Sequence, residues 1–207
     1  MKKWLLPLGF LIPFCTFSQD SVSLKSQVAH SITELRDFVS IPNDALNADD
    51  IDDNLIWLKR KFGERGFNTA ELETENLPLF FAALPMDDNK PTILLYMHFD
   101  GQSVDPSKWN QPNPYQVVLK KPAETGFETV LFEELKDDID YDWRLFGRST
   151  SDDKGPIVMF LNTIDLLKKE GKEIPFNVKV ILDGEEEKSS KPLPKAVRQY
   201  RELLKAD

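Results

Sequence analysis

Cysteine is almost absent from this chain: Cys15 is the only one in 207 residues. A single thiol excludes an internal disulfide framework and any cysteine-rich zinc module. Histidine is nearly as scarce, and of the two present only His98 lies beyond the N-terminal region. Positive charge is in deficit: 26 Lys and Arg face 35 Asp and Glu, for a net charge of −9. That balance argues against a nucleic-acid surface, which needs excess Lys and Arg to displace counterions. No apolar run reaches the roughly 20 residues a membrane-spanning helix requires. Several catalytic signatures are also missing. Gly101-Gln102-Ser103 runs on into Val104-Asp105, so there is no Gly-x-Ser-x-Gly elbow. There is no phosphate-binding Walker loop, no Gly-x-Gly-x-x-Gly and no His-Glu-x-x-His. What is present suffices for one medium domain. Apolar residues make up 41% of the chain and include 14 Phe, enough to fill a core and to exclude wholesale disorder.

The N-terminus reads as a targeting segment. Met1-Lys2-Lys3 is a basic start, residues 4–17 are an apolar run of 14, and Thr16-x-Ser18 supplies small residues for cleavage. The expected division is a signal peptide over 1–18 and a mature chain over 19–207. The alternatives are an uncleaved anchor, or a lipidated Cys15, which Ile12-Pro13-Phe14 disfavours for want of small residues. Cleavage leaves no cysteine, excludes thiol catalysis and suits a secreted or periplasmic protein that does not sit in a membrane.

Along the mature chain, apolar spacing predicts a helix over 22–39, stopped by Ile41-Pro42-Asn43. A second helix is expected from a cap at Asp49, with Ile51, Leu55, Leu58 and Phe62 on one face and Gly63 to Gly66 ending it. Strands are predicted at 67–75, 79–84 and 92–97; the continuous apolar run of the last reads as a strand buried on both faces. Residues 101–140 read as loop with short strands at 116–119 and 128–132, followed by another at 143–146. Pro156 falls in the first turn of a helix to about 170, then come a strand at 176–182 and a helix at 194–205. Strands alternating with helices give the expected class: α/β, a mainly parallel sheet between helices.

Three polar clusters fall at the ends of these elements. His98-Phe99-Asp100 follows the strand at 92–97, where open α/β sheets bind ligands. Residues two apart on an extended segment point the same way, so Asp100 can reach the His98 ring and fix its tautomer. Alone, His98 also reads as a half-buried histidine at a strand end. Gly147-Arg148-Ser149-Thr150-Ser151-Asp152-Asp153-Lys154-Gly155 leads into a helix, and its carboxylates serve equally as helix caps. Asp183-Gly184-Glu185-Glu186-Glu187 follows the strand at 176–182. Three consecutive Glu repel one another unless solvated or set near a cation. His30, on the first helix, reads as a surface residue.

Taken in order, these stretches resemble the co-catalytic zinc exopeptidases and deacylases, the family that includes carnosinase-type dipeptidases, aminoacylase and acetylornithine deacetylase. LLYMHFDGQ resembles the family's strand followed by His-x-Asp, with Gln102 as in the dipeptidase branch. Trp109 and Pro114-Tyr115 resemble its Trp and Pro-Phe stretch. FGRSTSDDKGPI resembles Gly-Arg-Gly-x-x-Asp-x-Lys-Gly, and ILDGEEEKSS resembles Gly-x-Glu-Glu-x-x-Ser. The likeness covers about residues 25–200.

The resemblance implies a zinc-exopeptidase-like catalytic domain holding two divalent ions, zinc by preference. It implies His98 as ligand of one ion, Asp152 as the carboxylate bridging both, and Glu187 as ligand of the other. Glu186 is implied as the general base acting on the attacking water, and Asp100 as the partner that orients His98. The implied substrate is a short peptide or an N-acyl amino acid, and the full-length form is implied to be a homodimer. Three departures stand out. Ser149 replaces a second Gly, Lys188-Ser189 replaces a small residue and Gly, and the sequence stops at Asp207. The family continues with another metal-binding carboxylate, a lid or dimerisation domain and a late His. The expectation is therefore a C-terminally truncated, partial catalytic domain over 19–207, inactive alone. The competing reading is a degenerate domain that binds a metal or partner without catalysis.

Overall fold

The computed structural model describes residues 21–136 and 139–207; the signal-peptide expectation for 1–18 lies outside them. Helix α1 (Ser21–Val39) carries two apolar faces in succession. Val28 and Ile32 pack on a small sheet, while Leu35, Phe38 and Val39 enter the main core. Helix α2 (Ala48–Glu64) buries Ile51, Leu55, Leu58 and Phe62 as the spacing predicts, and adds Trp57, stacked 3.8 Å from the Phe38 ring. Its cap is Asn47, whose side chain accepts the Asp49 N–H; Asp49 itself lies in the first turn with Asp50, where negative charge suits the helix dipole. The cap therefore falls two residues before the expected Asp49. Gly66, at φ 83°, takes the left-handed position that closes the helix.

The main sheet has the order β1 (Asn68–Leu72), β2 (Leu79–Ala83), β7 (Asn177–Asp183), β3 (Thr92–His98). The pairs β1–β2 and β2–β7 are antiparallel, and only β3–β7 is parallel. The α/β class holds, but the sheet is mixed rather than mainly parallel. The link from β1 to β2 is too short for a helical crossover, so that pair forms a hairpin. Helices cover both faces. Phe80, Ala82, Val178, Val180 and Leu182 face α1, α2 and α3 (Lys154–Lys169). Leu79, Phe81 and Ile181 face the C-terminal turns α4 (Leu193–Gln199) and α5 (Arg201–Leu204). The expected last helix thus breaks at Tyr200. The strand buried on both faces is β7; β3 lies at the edge of the described sheet, with Tyr96 45% exposed. The segment between β3 and α3 builds a second antiparallel sheet, ordered β5 (Phe127–Val130), β4 (Val118–Pro122), β6 (Arg144–Phe146). Among the described residues no helix is long and apolar enough to cross a membrane.

A buried ionic cluster ties the three long helices together. From α1, Glu34 accepts two hydrogen bonds from Arg65 Nη2 at 2.9 and 3.2 Å, one from Asn162 of α3 at 2.8 Å, and pairs with Lys61 of α2 at 3.1 Å. Arg65 also meets Asp165 at 2.6 Å. Burial alone would raise the Glu34 carboxyl; the Arg65 and Lys61 charges outweigh it and hold its pKa below the usual 4.5. A carboxyl lowered in the folded state binds protons less readily than when unfolded, so its contribution is full above about pH 4.5 and fades as pH falls through the folded value. Glu34→Gln is expected to cost about 3 kcal/mol at pH 7, because Arg65 loses its buried partner. Urea unfolding should show the gap between the two proteins narrowing at acid pH; a gap independent of pH would contradict the assignment.

Candidate active site

The parallel register of β3 and β7 sets His98 opposite Asp183, so both strands end at one level. Phe99 N–H donates to the Asp183 carbonyl at 2.9 Å and holds the two exits together. The turn Glu186–Lys188 after β7 therefore lies against His98 and Asp100. Asp152 arrives from the loop before α3, whose Asp152–Asp153 peptide is cis.

The expected residues converge to different degrees. His98 is buried, with Nε2 at 2.8 Å from Asp152 Oδ1 and 3.9 Å from Glu186 Oε2. Its Nδ1 lies 3.3 Å from Asp100 Oδ1, close enough for attraction but not aligned as a hydrogen bond. Asp100 is fully buried, and its two oxygens accept the Glu186 and Glu187 N–H groups at 3.0 Å each. Glu187 Oε2 accepts from Gln102 Nε2 at 2.9 Å. Glu187 thus joins the group through its backbone, with its carboxylate turned to Gln102. His30 is exposed on α1, as expected.

Several contributors were not legible as such. Asp153 Oδ2 accepts the His98 N–H at 3.2 Å. Asp100 clamps the Glu186–Lys188 turn in addition to facing the imidazole. Glu185 is buried, with one carboxylate oxygen on Asn76 at 3.3 Å and the other unpartnered; burial, then the Asp183 and Asp100 charges, push its pKa up. The nearby lysines look elsewhere. Lys154 Nζ donates to the carbonyls of Phe38 and Ile41, and Lys188 Nζ to that of Ala45. Among the described residues, the only cationic group within 4 Å of Asp100, Asp152 or Glu186 is His98.

This crowding of carboxylates favours a positive charge. Burial works against a charged His98, but Asp100, Asp152 and Asp153 outweigh it and hold its pKa up at about 9. Among the described residues no three His, Cys, Asp or Glu side chains form a ready-made metal cage. The donor chemistry nevertheless fits: one imidazole with several carboxylates suits zinc. Two donors on a tetrahedral zinc stand about 3.3 Å apart, whereas His98 and Asp152 stand at 2.8 Å. At that separation the two side chains are in direct hydrogen-bond contact.

Two of the departures from the family pattern have a backbone explanation. Ser149 has φ 61° and Ser189 φ 78°, the left-handed region that glycine enters at least cost. Ser189→Gly is expected to stabilise the fold by about 0.5–1 kcal/mol, read as a higher urea midpoint at unchanged slope. Ser149→Gly should gain little, since Ser149 Oγ accepts a hydrogen bond from Asn43 at 3.0 Å that glycine cannot replace.

Known proteins resemble this chain in sequence and in fold. The chain is 24% identical over 190 residues to the Cys-Gly metallodipeptidase of Saccharomyces cerevisiae, covering 86% of this chain and 36% of that protein. It is 26% identical over 125 residues to the Beta-Ala-His dipeptidase of Homo sapiens, covering 60% of this chain and 20% of that protein. Among solved structures, the M20 family metallo-carboxypeptidase from Sulfolobus solfataricus superposes with a TM-score of 0.66 at 27% identity, over 86% of this chain and 36% of that one. Human carnosine dipeptidase 1 superposes with a TM-score of 0.68 at 20% identity, over 86% and 37%, a likeness of fold. The chain therefore spans about a third or less of the length of these relatives. The model of peptidase family M20/M25/M40 matches residues 94–206, more than half of the sequence and all three motif loops. By that match the chain belongs to peptidase family M20/M25/M40.

Proposed function

We propose that this chain is the catalytic-domain portion of a metal-dependent hydrolase that cleaves short peptides. The observation that carries the reading is the convergence of His98, Asp152 and Glu186 within 2.8–3.9 Å at the shared exit of β3 and β7. His98, Asp152 and Glu187 would hold divalent ions, zinc by preference, with Asp152 between the two. Bound there, such ions polarise a scissile carbonyl and make water more acidic. The chain's own residues do the rest. Asp100, 3.3 Å from His98 Nδ1, attracts the imidazole and fixes the Glu186–Lys188 turn. Glu186, half-exposed at the mouth, takes the proton of the attacking water and passes it to the leaving amine.

The names of the Cys-Gly and Beta-Ala-His dipeptidases favour dipeptides over N-acyl amino acids as substrates. On this reading each ion has two protein ligands within the 207 residues, whereas catalytic zinc takes three. Turnover is thus expected of a longer form that supplies the third ligands; the reading includes, as separate proposals, a homodimeric state for that form and secretion directed by residues 1–18. The test is zinc titration of the purified protein by calorimetry, alongside His98→Ala. Zinc binding that falls by about 100-fold in the variant supports the site. Equal affinity in both proteins sinks it and favours a domain that has kept the fold without the metal.

A further inference from the structure

Residues 41–45 join α1 to α2 and contain none of the groups assigned to chemistry, yet all three site loops are tied to them. Asn43 is fully buried. Its Nδ2 donates to the Phe99 carbonyl at 2.7 Å and to Ser149 Oγ at 3.0 Å, and its own carbonyl accepts the Gly101 N–H at 2.7 Å. One side chain and its backbone thereby grip both residues flanking Asp100 and the loop that leads to Asp152. Asp44 adds a parallel bridge to Gly101. From α3, Lys154 Nζ reaches the Ile41 carbonyl at 2.7 Å; from the Glu186–Lys188 turn, Lys188 Nζ reaches the Ala45 carbonyl at 3.0 Å. From α2, Asn54 donates to the Pro42 carbonyl at 2.6 Å.

The approach is as close as the chain allows. A Cβ on Gly101 would lie 2.7 Å from Ser149 Oγ and 2.9 Å from Asn43 Oδ1. Two of the ties, moreover, come from Ser149 and Lys188, which stand where the family pattern has small residues. Loops that bear like charges separate unless something outside the charges holds them, and a site is accurate only when its supporting contacts are fixed.

We propose that residues 41–45 form a positioning strap for the site. Asn43 sets the spacing between the His98–Asp100 and Asp152 loops, and Ser149 and Lys188 are its partners in this chain. Asp100 passes that constraint to the Glu186 and Glu187 amides. The proposal rests on the metal reading only for its zinc arm.

The test is amide hydrogen exchange, followed by NMR on the full metal-free protein, for Asn43→Ala, Lys188→Ala and the control Asn54→Ala. The control removes a tie from α2 to the Pro42 carbonyl that involves none of the site loops. In Asn43→Ala, protection at Gly101, Glu186 and Glu187 should fall about tenfold further than at core β7 amides. In Asn54→Ala the site amides should fall only in step with the core. Glu186 and Glu187 tracking the core in Asn43→Ala, or falling equally in the control, overturns the proposal. If Asn43→Ala does not fold, Lys188→Ala carries the same comparison, since its side chain lies at the surface and its loss spares the core. In a parallel zinc titration, Asn43→Ala should bind about tenfold more weakly than Asn54→Ala. Wild-type protein without His98-dependent zinc binding refutes the metal reading, and the exchange data then decide the strap alone.

Discussion

Glu186→Gln in the longer, metal-loaded protein is expected to lower turnover about 10²–10⁴-fold while leaving metal content almost unchanged. Glutamine keeps the shape of the side chain but cannot accept the proton of the attacking water. The position of Glu186 suits a general base, because its carboxylate is 42% exposed, 3.9 Å from His98 Nε2, and its backbone is pinned to Asp100. The loss equals about 3–5 kcal/mol of barrier. Glu187→Gln should instead release metal. Its carboxylate now rests on Gln102, a neutral partner that it can leave without stranding a charge. Turnover of a dipeptide panel and metal analysis of the same preparations separate the two effects. If the phenotypes are exchanged, the assignment across the three Glu is off by one residue.

Lys154→Ala is expected to cost about 3–5 kcal/mol of stability. The side chain is fully buried, its ammonium 2.8 Å from the Phe38 carbonyl, 2.7 Å from the Ile41 carbonyl and 4.4 Å from the Phe38 ring. Burial pushes its pKa well below 10.5, and the Asp50 charge opposes that shift without cancelling it. Alanine removes a long stem from a packed interior and strips two carbonyls of their donor. Lys154→Met keeps the stem and loses only the donor, so about half the cost should return. Urea midpoints of the three proteins check this. A methionine variant as stable as the parent would show that the two hydrogen bonds contribute nothing net.

How far the sequence reveals the molecule depends on the scale of the contact. The elements were readable because apolar spacing is local: Ile51, Leu55, Leu58 and Phe62 announce a helix face, and both the His98 and Glu186 motifs sit visibly at strand exits. The antiparallel placement of β2 against β7 joins residues a hundred positions apart and leaves no mark in either strand. The continuous apolar run of β3 suggested a central strand, but the alternating β7 takes that place, because packing on both faces depends on neighbours rather than on the strand alone. Charged residues carry no local sign of their burial. Glu34, Arg65 and Lys154 are buried with partners that come from other elements. Ile41-Pro42-Asn43 reads as the end of a helix and nothing more; its links to Phe99, Gly101 and Ser149 are invisible until the chain is folded.

The distances along the chain of those same links set an order of assembly. Asn43 waits for a partner 106 residues later, and Ala45 for one 143 residues later. Contacts of such separation form slowly, because a large loop must close before they reward it. On a ribosome, which releases the N-terminal residues first, α1 and the strap emerge long before anything they are to hold. The hairpin of β1 and β2 can form early from neighbouring residues. The carboxylate-rich pocket cannot take shape until Lys188 has left the exit tunnel.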